Sequence, residues 1–194
     1  MCARHLCVLV HPMDGVLSLS GDWRPTMHAY LQSARTLIEK TTEGITPEEL
    51  RRHPPGKWCA AEILEHLSRA YSSTLKLLER QLESGKPPQR RPTAAERRRA
   101  LVVIEIGFLP KGRQAPEFTL PQGLPADEAL PRFFASLDAM DDSLNRCQTH
   151  FGTSQPIAEH AIFGPLTVRR WRRFHWVHTR HHARQIQRLR SEGK

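Results

Sequence analysis

A chain of 194 residues is long enough for one domain with a sizeable core, and 39% apolar and 25% charged residues are ordinary for a globular protein. The longest apolar runs reach about five residues, whereas a membrane-spanning helix needs about 20, which excludes a transmembrane helix. The formal net charge of +9 favours solvated arginines on helix faces; a surface for an anionic substrate or partner is the second interpretation, and specific nucleic-acid binding is the third.

The beginning of the chain lacks helical patterning, so we expect a weakly ordered extension over residues 1–22 and a single domain over residues 23–194. Its apolar stretch LCVLV is too short for a signal peptide and is followed by no cleavage site, so we expect a cytoplasmic chain. The cysteines have no regular spacing, which predicts reduced, structural thiols. They are Cys2, Cys7, Cys59 and Cys147.

Two amphipathic helices are predicted in the first half of the chain. The first covers MHAYLQSARTLIEKTTEG and stops near Gly44, and Thr46 with Pro47 then predicts a short helical turn. The second and longest helix follows the Pro-Pro-Gly of residues 54–56, carries an apolar stripe to Leu82 and ends at Gly85.

The second half is predicted to contain a shorter helix over TAAERRRALVVIEIGF, although its β-branched run leaves a strand as the alternative. An ordered loop rich in Pro and Gly follows, and then an amphipathic helix over residues 126–151. HAIFGPLTV is interpreted as a turn, and Thr167 caps a last helix over residues 168–190. No strand is predicted. The fold class is all-α: an antiparallel four-helix bundle with an extra short helix and a long Pro/Gly-rich loop between helices 2 and 3.

The last helix contains four of the 11 histidines, in the stretch FHWVHTRHHARQI. At about 100° per residue, His178 and His182 share its apolar face, His175 lies at the edge of that face, and His181 is turned about 60° aside. Residues 169–190 also contain eight arginines and no acid. Most of these arginines fall on the opposite side and are expected to face solvent.

Two imidazoles at this i, i+4 spacing can bind one metal ion, as in the HExxH motif. His66, within the apolar stripe of the second helix, is the best candidate for a third ligand from another helix. Three histidines with an open position are typical of a catalytic site, and imidazole suits Zn, Ni, Fe or Cu. The alternative is that these are ordinary core or rim histidines.

Two patterns resemble a known family. They are W-x7-H-L, from Trp58 to Leu67, and H-x3-H-x2-Q, formed by His178, His182 and Gln185. Over about residues 27–190 the chain resembles the DinB-like superfamily, four-helix bundles with a three-histidine metal site described as metal-dependent hydrolases or thiol transferases. One branch of that superfamily also matches around the start of the last helix. The matching residues are His160, Phe163, Gly164, Leu166, Thr167, Trp171, His178, His181, His182 and Gln185.

The resemblance implies His66, His178 and His182 as ligands of a divalent transition metal, with zinc or nickel as the first expectations. Gln185 is expected to hydrogen-bond a ligand imidazole, with packing against a neighbouring helix as the alternative, and His181 to lie behind the ligands or at the surface.

Two further residues are candidates for catalysis. His160, just before the turn, is a candidate acid, base or substrate contact, and bracing of the turn is its alternative. Glu62, one turn before His66, is a candidate to orient His66 or accept a proton, and a solvent-facing charge is its alternative.

The first functional hypothesis is an enzyme in which the metal activates water or an anionic low-molecular-weight thiol against a small-molecule electrophile. The second is a non-catalytic metal-binding stress-response module, whose coordination shell Glu62 or His160 would close. Specific nucleic-acid binding and membrane association are not expected. A homodimer is compatible with such a bundle, but no seam in the sequence identifies its interface.

Overall fold

The computed structural model describes residues 26–110, 112 and 114–192. The extension predicted over residues 1–22 lies outside the described residues, as do Cys2 and Cys7. The helices are α1 (Ala29–Thr42), α2 (Pro47–Arg51), α3 (Ala60–Ser84), α4 (Ala94–Ala100), α5 (Ala126–Phe151) and α6 (Val168–Glu192), and the strands are β1 (Pro156–His160) and β2 (Gly164–Thr167). The prediction of an all-α bundle is confirmed, with a small two-stranded sheet added.

The long helix α3 begins and ends where its sequence provides caps. At its start, Cys59 and Glu62 form a capping box, in which the Glu62 carboxylate accepts a hydrogen bond from the backbone N–H of Cys59 (2.9 Å). At its end, Gly85 adopts a left-handed conformation with φ +64°, which an L side chain disfavours. These caps fix the length of α3 and therefore the position of His66 in its second turn.

The bundle consists of α1, α3, α5 and α6, packed around one core. The pair α3 and α6 is antiparallel, because His66 faces His182 while Tyr71 bonds to Thr179. The pair α3 and α5 is parallel, as the contacts Ser68–Arg132 and Glu79–Arg146 show.

The two helix pairs that involve α1 likewise include one parallel and one antiparallel pair. Helix α1 runs parallel to α6, with Tyr30 near Arg173 and Thr41 near Arg190. Helix α1 runs antiparallel to α5. The expected antiparallel arrangement therefore holds for two of these four pairs, and the long connection between α3 and α5 permits the parallel pair.

The segment interpreted as a turn is a β-hairpin, so the prediction that the chain has no strand was wrong here. Strand β1 pairs with β2 in antiparallel register, with His160 opposite Gly164. Gly164 has φ +69°, and a Cβ at this position would lie 2.7 Å from the carboxylate of Glu96. The positive φ therefore favours glycine here, and the Glu96 side chain would have to shift to admit a Cβ.

The shorter helix predicted over residues 93–108 is divided. Helix α4 ends at Ala100, and Leu101–Glu105 continue as a π-helical turn, whose last carbonyl groups have no partner further along the helix. Arg173 of α6 donates through Nε–H to the carbonyl oxygen of Ile104 (2.7 Å) and also bonds to that of Glu105. The arginine thus attaches this segment to the outside of the bundle.

The arginines of α6 do not form one solvated face, contrary to the sequence-based expectation. Arg172 is only 4% exposed and bonds to the side-chain oxygens of Asn145 and Gln148 on α5. Arg180 donates to the carbonyl oxygen of Gly107 (2.9 Å). Part of the positive charge of the chain therefore lies on arginines that connect its elements to one another.

None of the helices in the described ranges has an apolar stretch that could cross a lipid bilayer.

Candidate metal centre

Three histidines from two helices converge inside the bundle. The Nε2 atom of His178 lies 3.3 Å from Nε2 of His66 and 3.1 Å from Nε2 of His182. His66 is 3% exposed and His182 7% exposed. The antiparallel packing of α3 and α6 brings residues 112 positions apart in sequence into contact.

Hydrogen bonds on the far side of two rings determine which nitrogen carries the proton. The Nδ1–H of His66 donates to the backbone carbonyl oxygen of Thr119 (2.9 Å), an atom that can only accept. The Nδ1–H of His182 donates to Oε1 of Gln185 (2.7 Å). Both rings therefore direct an unprotonated Nε2 with its lone pair toward the centre.

This arrangement of acceptors fits a bound cation. At most one proton, on His178, can lie among three nitrogens that are 3.1 and 3.3 Å apart, and it cannot satisfy both neighbours fully. Two imidazole nitrogens bound at about 2.0–2.1 Å to one zinc ion would lie about 2.9–3.4 Å from each other. The donor set and its spacing thus form a buried group that can bind a metal ion.

Burial keeps the three rings in the form that binds metals. Desolvation lowers the pKa of His66, lowers that of His182 to about 3, and lowers that of His178 well below its usual value. The neighbouring imidazoles lower the pKa of His178 further, because a second positive charge beside it is unfavourable. The rings are therefore neutral at pH 7, as metal coordination requires.

Aromatic rings pack against two of the three histidines. The ring of Phe174 stacks on that of His178 at 5.7 Å with an interplanar angle of 7°, and the ring of Trp58 lies 5.1 Å from His66. The Nδ1 of His178 is buried and forms no hydrogen bond within the described residues. Stacking on Phe174 therefore sets the orientation of His178.

Gln185 connects His182 to His181. Its amide oxygen accepts from Nδ1 of His182, and its Nε2–H donates to Nε2 of His181 (3.3 Å). Gln185 thus lies directly behind the candidate ligand His182, as the sequence predicts, and His181 lies behind Gln185.

The loop between α4 and α5 is attached beside the histidines. The Glu65 carboxylate, only 6% exposed, accepts hydrogen bonds from the backbone N–H groups of residues 122–124 at 2.8–3.2 Å. Arg69 donates to the Gln122 side chain and to the carbonyl oxygen of Phe118. These bonds hold the Thr119 carbonyl in place against His66.

His160 lies at the hairpin rather than among the three histidines. Its Nδ1 accepts a hydrogen bond from the backbone N–H of Ile162 (3.0 Å), and its ring packs on Phe163 and Phe174. Burial lowers its pKa to about 4. The alternative stated above, bracing of the turn, describes this placement, and Phe174 lies between His160 and His178.

Glu62 is likewise engaged away from His66. Its carboxylate completes the capping box of α3 and lies 3.5 Å from Nδ1 of His53. His53, Cys59 and Glu62 form a second group of potential ligands, but the capping interaction accounts for two of them. The catalytic role expected of Glu62 thus has no contact to support it in the described part of the chain.

His175, at the edge of the face in the sequence analysis, is completely buried beneath Tyr71 and Trp171. Neither of its ring nitrogens finds a hydrogen-bond partner among the described residues, and burial lowers its pKa to about 3. It packs in the core as a neutral ring, beside the candidate centre and not within it.

No pattern in the sequence pointed to Glu65, Arg69 or Thr119. Thr119 acts through its backbone carbonyl, so no side-chain pattern could reveal it. Glu65 could have been inferred, because a carboxylate next to His66 in an otherwise apolar stripe must find hydrogen-bond partners when it is buried.

A family model described as the DinB superfamily matches residues 30–186, a range that contains all three histidines. Comparison with curated proteins gives no significant match, and comparison with solved structures gives none either. Since the family model covers most of the sequence, the chain belongs to the DinB superfamily.

Proposed function

We propose that this chain is a metal-dependent enzyme in which His66, His178 and His182 hold a divalent transition metal, with zinc or nickel the first candidates. The centre activates water or a low-molecular-weight thiol, so the reaction is hydrolysis of a small molecule or transfer of the thiol to it. When bound, the metal supplies Lewis acidity, which lowers the pKa of water or thiol and provides a nucleophile near neutral pH.

The observation that carries this proposal is the convergence of the three Nε2 atoms at 3.1 and 3.3 Å. Two of these nitrogens are left unprotonated by hydrogen bonds to Thr119 and Gln185. Buried acceptors that face each other without enough donors are costly unless a cation lies between them. Family membership supports the same assignment.

The surrounding residues favour a nucleophile that comes from solution. Cys59 is buried at the start of α3, and burial raises the pKa of its thiol. Burial also raises the pKa of Cys147 to about 11. Neither thiol is ionised near neutral pH, so neither has the reactivity of a catalytic cysteine.

A non-catalytic metal-binding module is the alternative, and it requires a closed coordination shell. The two residues considered for a fourth ligand are Glu62 and His160, and both are engaged elsewhere. The group of potential ligands found around His178 among the described residues contains three histidines. An open position is therefore favoured, which supports the enzyme.

The deciding experiment is elemental analysis of the purified protein, followed by hydrolysis and thiol-transfer assays on metal-loaded samples. We expect about one equivalent of metal in the parent, loss of that metal in His178→Ala, and retention in His53→Ala, which alters the second ligand group instead. Full metal content in His178→Ala would disprove the ligand assignment. A loaded protein inactive in every assay would favour the binding module.

A further inference from the structure

A groove of about 490 Å³ lies along one side of α3, next to the segment that holds His66. Its lining is Arg69, Ser72, Ser73, Lys76, Arg80 and Phe118. The α3 residues recur every three or four positions and so form one stripe of that helix. Phe118 closes one side, and 62% of it is exposed.

The charge of this groove is not compensated. Of the described residues, three cationic side chains and no acidic one line it. Among the described residues, no ion pair joins Arg69, Lys76 or Arg80 to a carboxylate. The acid on α3 between Lys76 and Arg80 is Glu79, and it pairs with Arg146 of α5.

Polar groups in the groove are left available for a ligand. The hydroxyls of Ser72 and Ser73 line the groove and form no hydrogen bond within the described residues, whereas Arg69 is partly engaged by Gln122 and the Phe118 carbonyl oxygen. The ammonium group of Lys76 is exposed. Unlike Arg172 and Arg173, which attach one element to another, the Lys76 side chain forms no hydrogen bond or ion pair with the described residues.

The groove lies beside the candidate metal centre, along α3. Phe118 precedes Thr119, whose carbonyl oxygen holds His66. Along α3, Ser73 lies seven positions after His66, a rise of about 10 Å. A small molecule that reaches the centre from this side would therefore extend over the stripe.

We propose that the groove formed by Arg69, Ser72, Ser73, Lys76, Arg80 and Phe118 binds a small molecule that carries a phosphate or carboxylate group next to an apolar ring or chain. The cations and hydroxyls contact the anionic group, and Phe118 packs on the apolar part. This inference deepens the proposed function and rests on it, because it assigns the groove to the substrate or thiol of the same centre.

The test is titration of the metal-loaded full chain with phenyl phosphate at low ionic strength, measured by calorimetry and by amide shifts in NMR. We expect shifts at Ser72, Ser73, Lys76 and Phe118. Affinity should fall about tenfold or more in Lys76→Gln/Arg80→Gln, since two charge-assisted contacts are lost. Phenylacetate, titrated in parallel, shows whether the groove prefers a phosphate or a carboxylate.

Arg98→Gln/Arg99→Gln is the matched control, because it removes two exposed charges from α4, away from the groove. It should bind phenyl phosphate within about twofold of the parent. Equal losses in both double variants, or shifts that avoid the groove, would overturn the inference.

Phe118→Ala tests the apolar contact separately. We expect it to abolish the preference for phenyl phosphate over inorganic phosphate; an unchanged preference contradicts the contact.

Repetition on chelator-treated protein distinguishes the groove from the metal centre. Binding that persists without metal, with the same loss in Lys76→Gln/Arg80→Gln, supports the groove even if elemental analysis rejects the ligand assignment. Binding that disappears with the metal means that the phosphate was bound at the centre, and the groove assignment is wrong.

Discussion

Single hydrogen bonds decide what the three imidazoles can do. If Gln185 did not accept from Nδ1 of His182, the proton could move to Nε2, and the ring would present a donor to its neighbours. The Thr119 carbonyl has the same effect on His66. The metal-binding form of the centre therefore depends on two atoms outside it.

Replacing Gln185 should weaken metal binding without unfolding the protein. We expect Gln185→Leu to lower metal affinity by about 10- to 100-fold, the usual effect of losing a partner behind a ligand histidine. Gln185→Glu should retain affinity, because a carboxylate also accepts from His182. Competition with a chromophoric chelator measures the change, and Gln187→Leu on the same helix is the control. Parent-like affinity in Gln185→Leu would show that the bond to His182 is not needed.

The residues predicted from sequence are those that act through side chains on a regular element. His178 and His182 follow from the 100° advance per residue, His66 follows from its place in the apolar stripe of the second helix, and the family pattern implies the same three residues. The turn before the last helix suggests His160, and the helical position one turn before His66 suggests Glu62, but each is held by a local hydrogen bond at a turn or a helix start. A sequence pattern does not show whether such a side chain bonds to a nearby backbone group or contributes to a site that is distant in sequence.

At the scale of elements, Glu65 attaches the loop before α5 to α3. Glu65→Ala should remove the acceptor of three backbone N–H groups at residues 122–124 and lower the free energy of unfolding by about 3 kcal/mol. Hydrogen exchange of those amides should accelerate, since their partner is lost. Chemical denaturation with exchange mass spectrometry tests both. Glu83→Ala, exposed on the same helix, is the control; slow exchange in Glu65→Ala would refute the attachment.

The buried arginine of α6 gives a second test at this scale. Arg172→Ala should lower the free energy of unfolding by about 3 kcal/mol, because it leaves Asn145 and Gln148 without their donor and opens a cavity. Arg184→Ala, exposed on the same helix, should change it by about 0.5 kcal/mol or less. Urea denaturation compares the two, and similar values would mean that Arg172 is solvated after all.

Helices are predictable where the apolar periodicity extends over many residues and the sequence contains capping residues, as in α3 with its C-cap Gly85. The hairpin was not, because its strands are only five and four residues long and include Pro156, Gly164 and Pro165. The hairpin also packs against α4, whose Glu96 carboxylate lies close to Gly164, and a tertiary contact of this kind leaves no local pattern in the sequence. The π-helical turn was also hidden, since Arg173 of another helix satisfies its carbonyl groups.

At the scale of the whole molecule, the candidate centre joins parts of the chain that are far apart in sequence. His66 belongs to α3, His178 and His182 belong to α6, and Thr119 belongs to the loop before α5. In the unfolded chain these groups are separated, so an ion that needs all three imidazoles binds the folded state much more strongly. Metal binding should therefore stabilise the entire fold.

Free metal at about 1,000 times its dissociation constant should add about 4 kcal/mol to the free energy of unfolding. For a domain of this size, that corresponds to a rise in Tm of about 8–16 °C. Differential scanning calorimetry of chelated and metal-loaded samples measures the shift. His178→Ala should abolish it, whereas His53→Ala should keep it. An equal shift in both variants would mean that the ion binds elsewhere, because loss of one of three imidazoles from the centre must remove most of the binding energy.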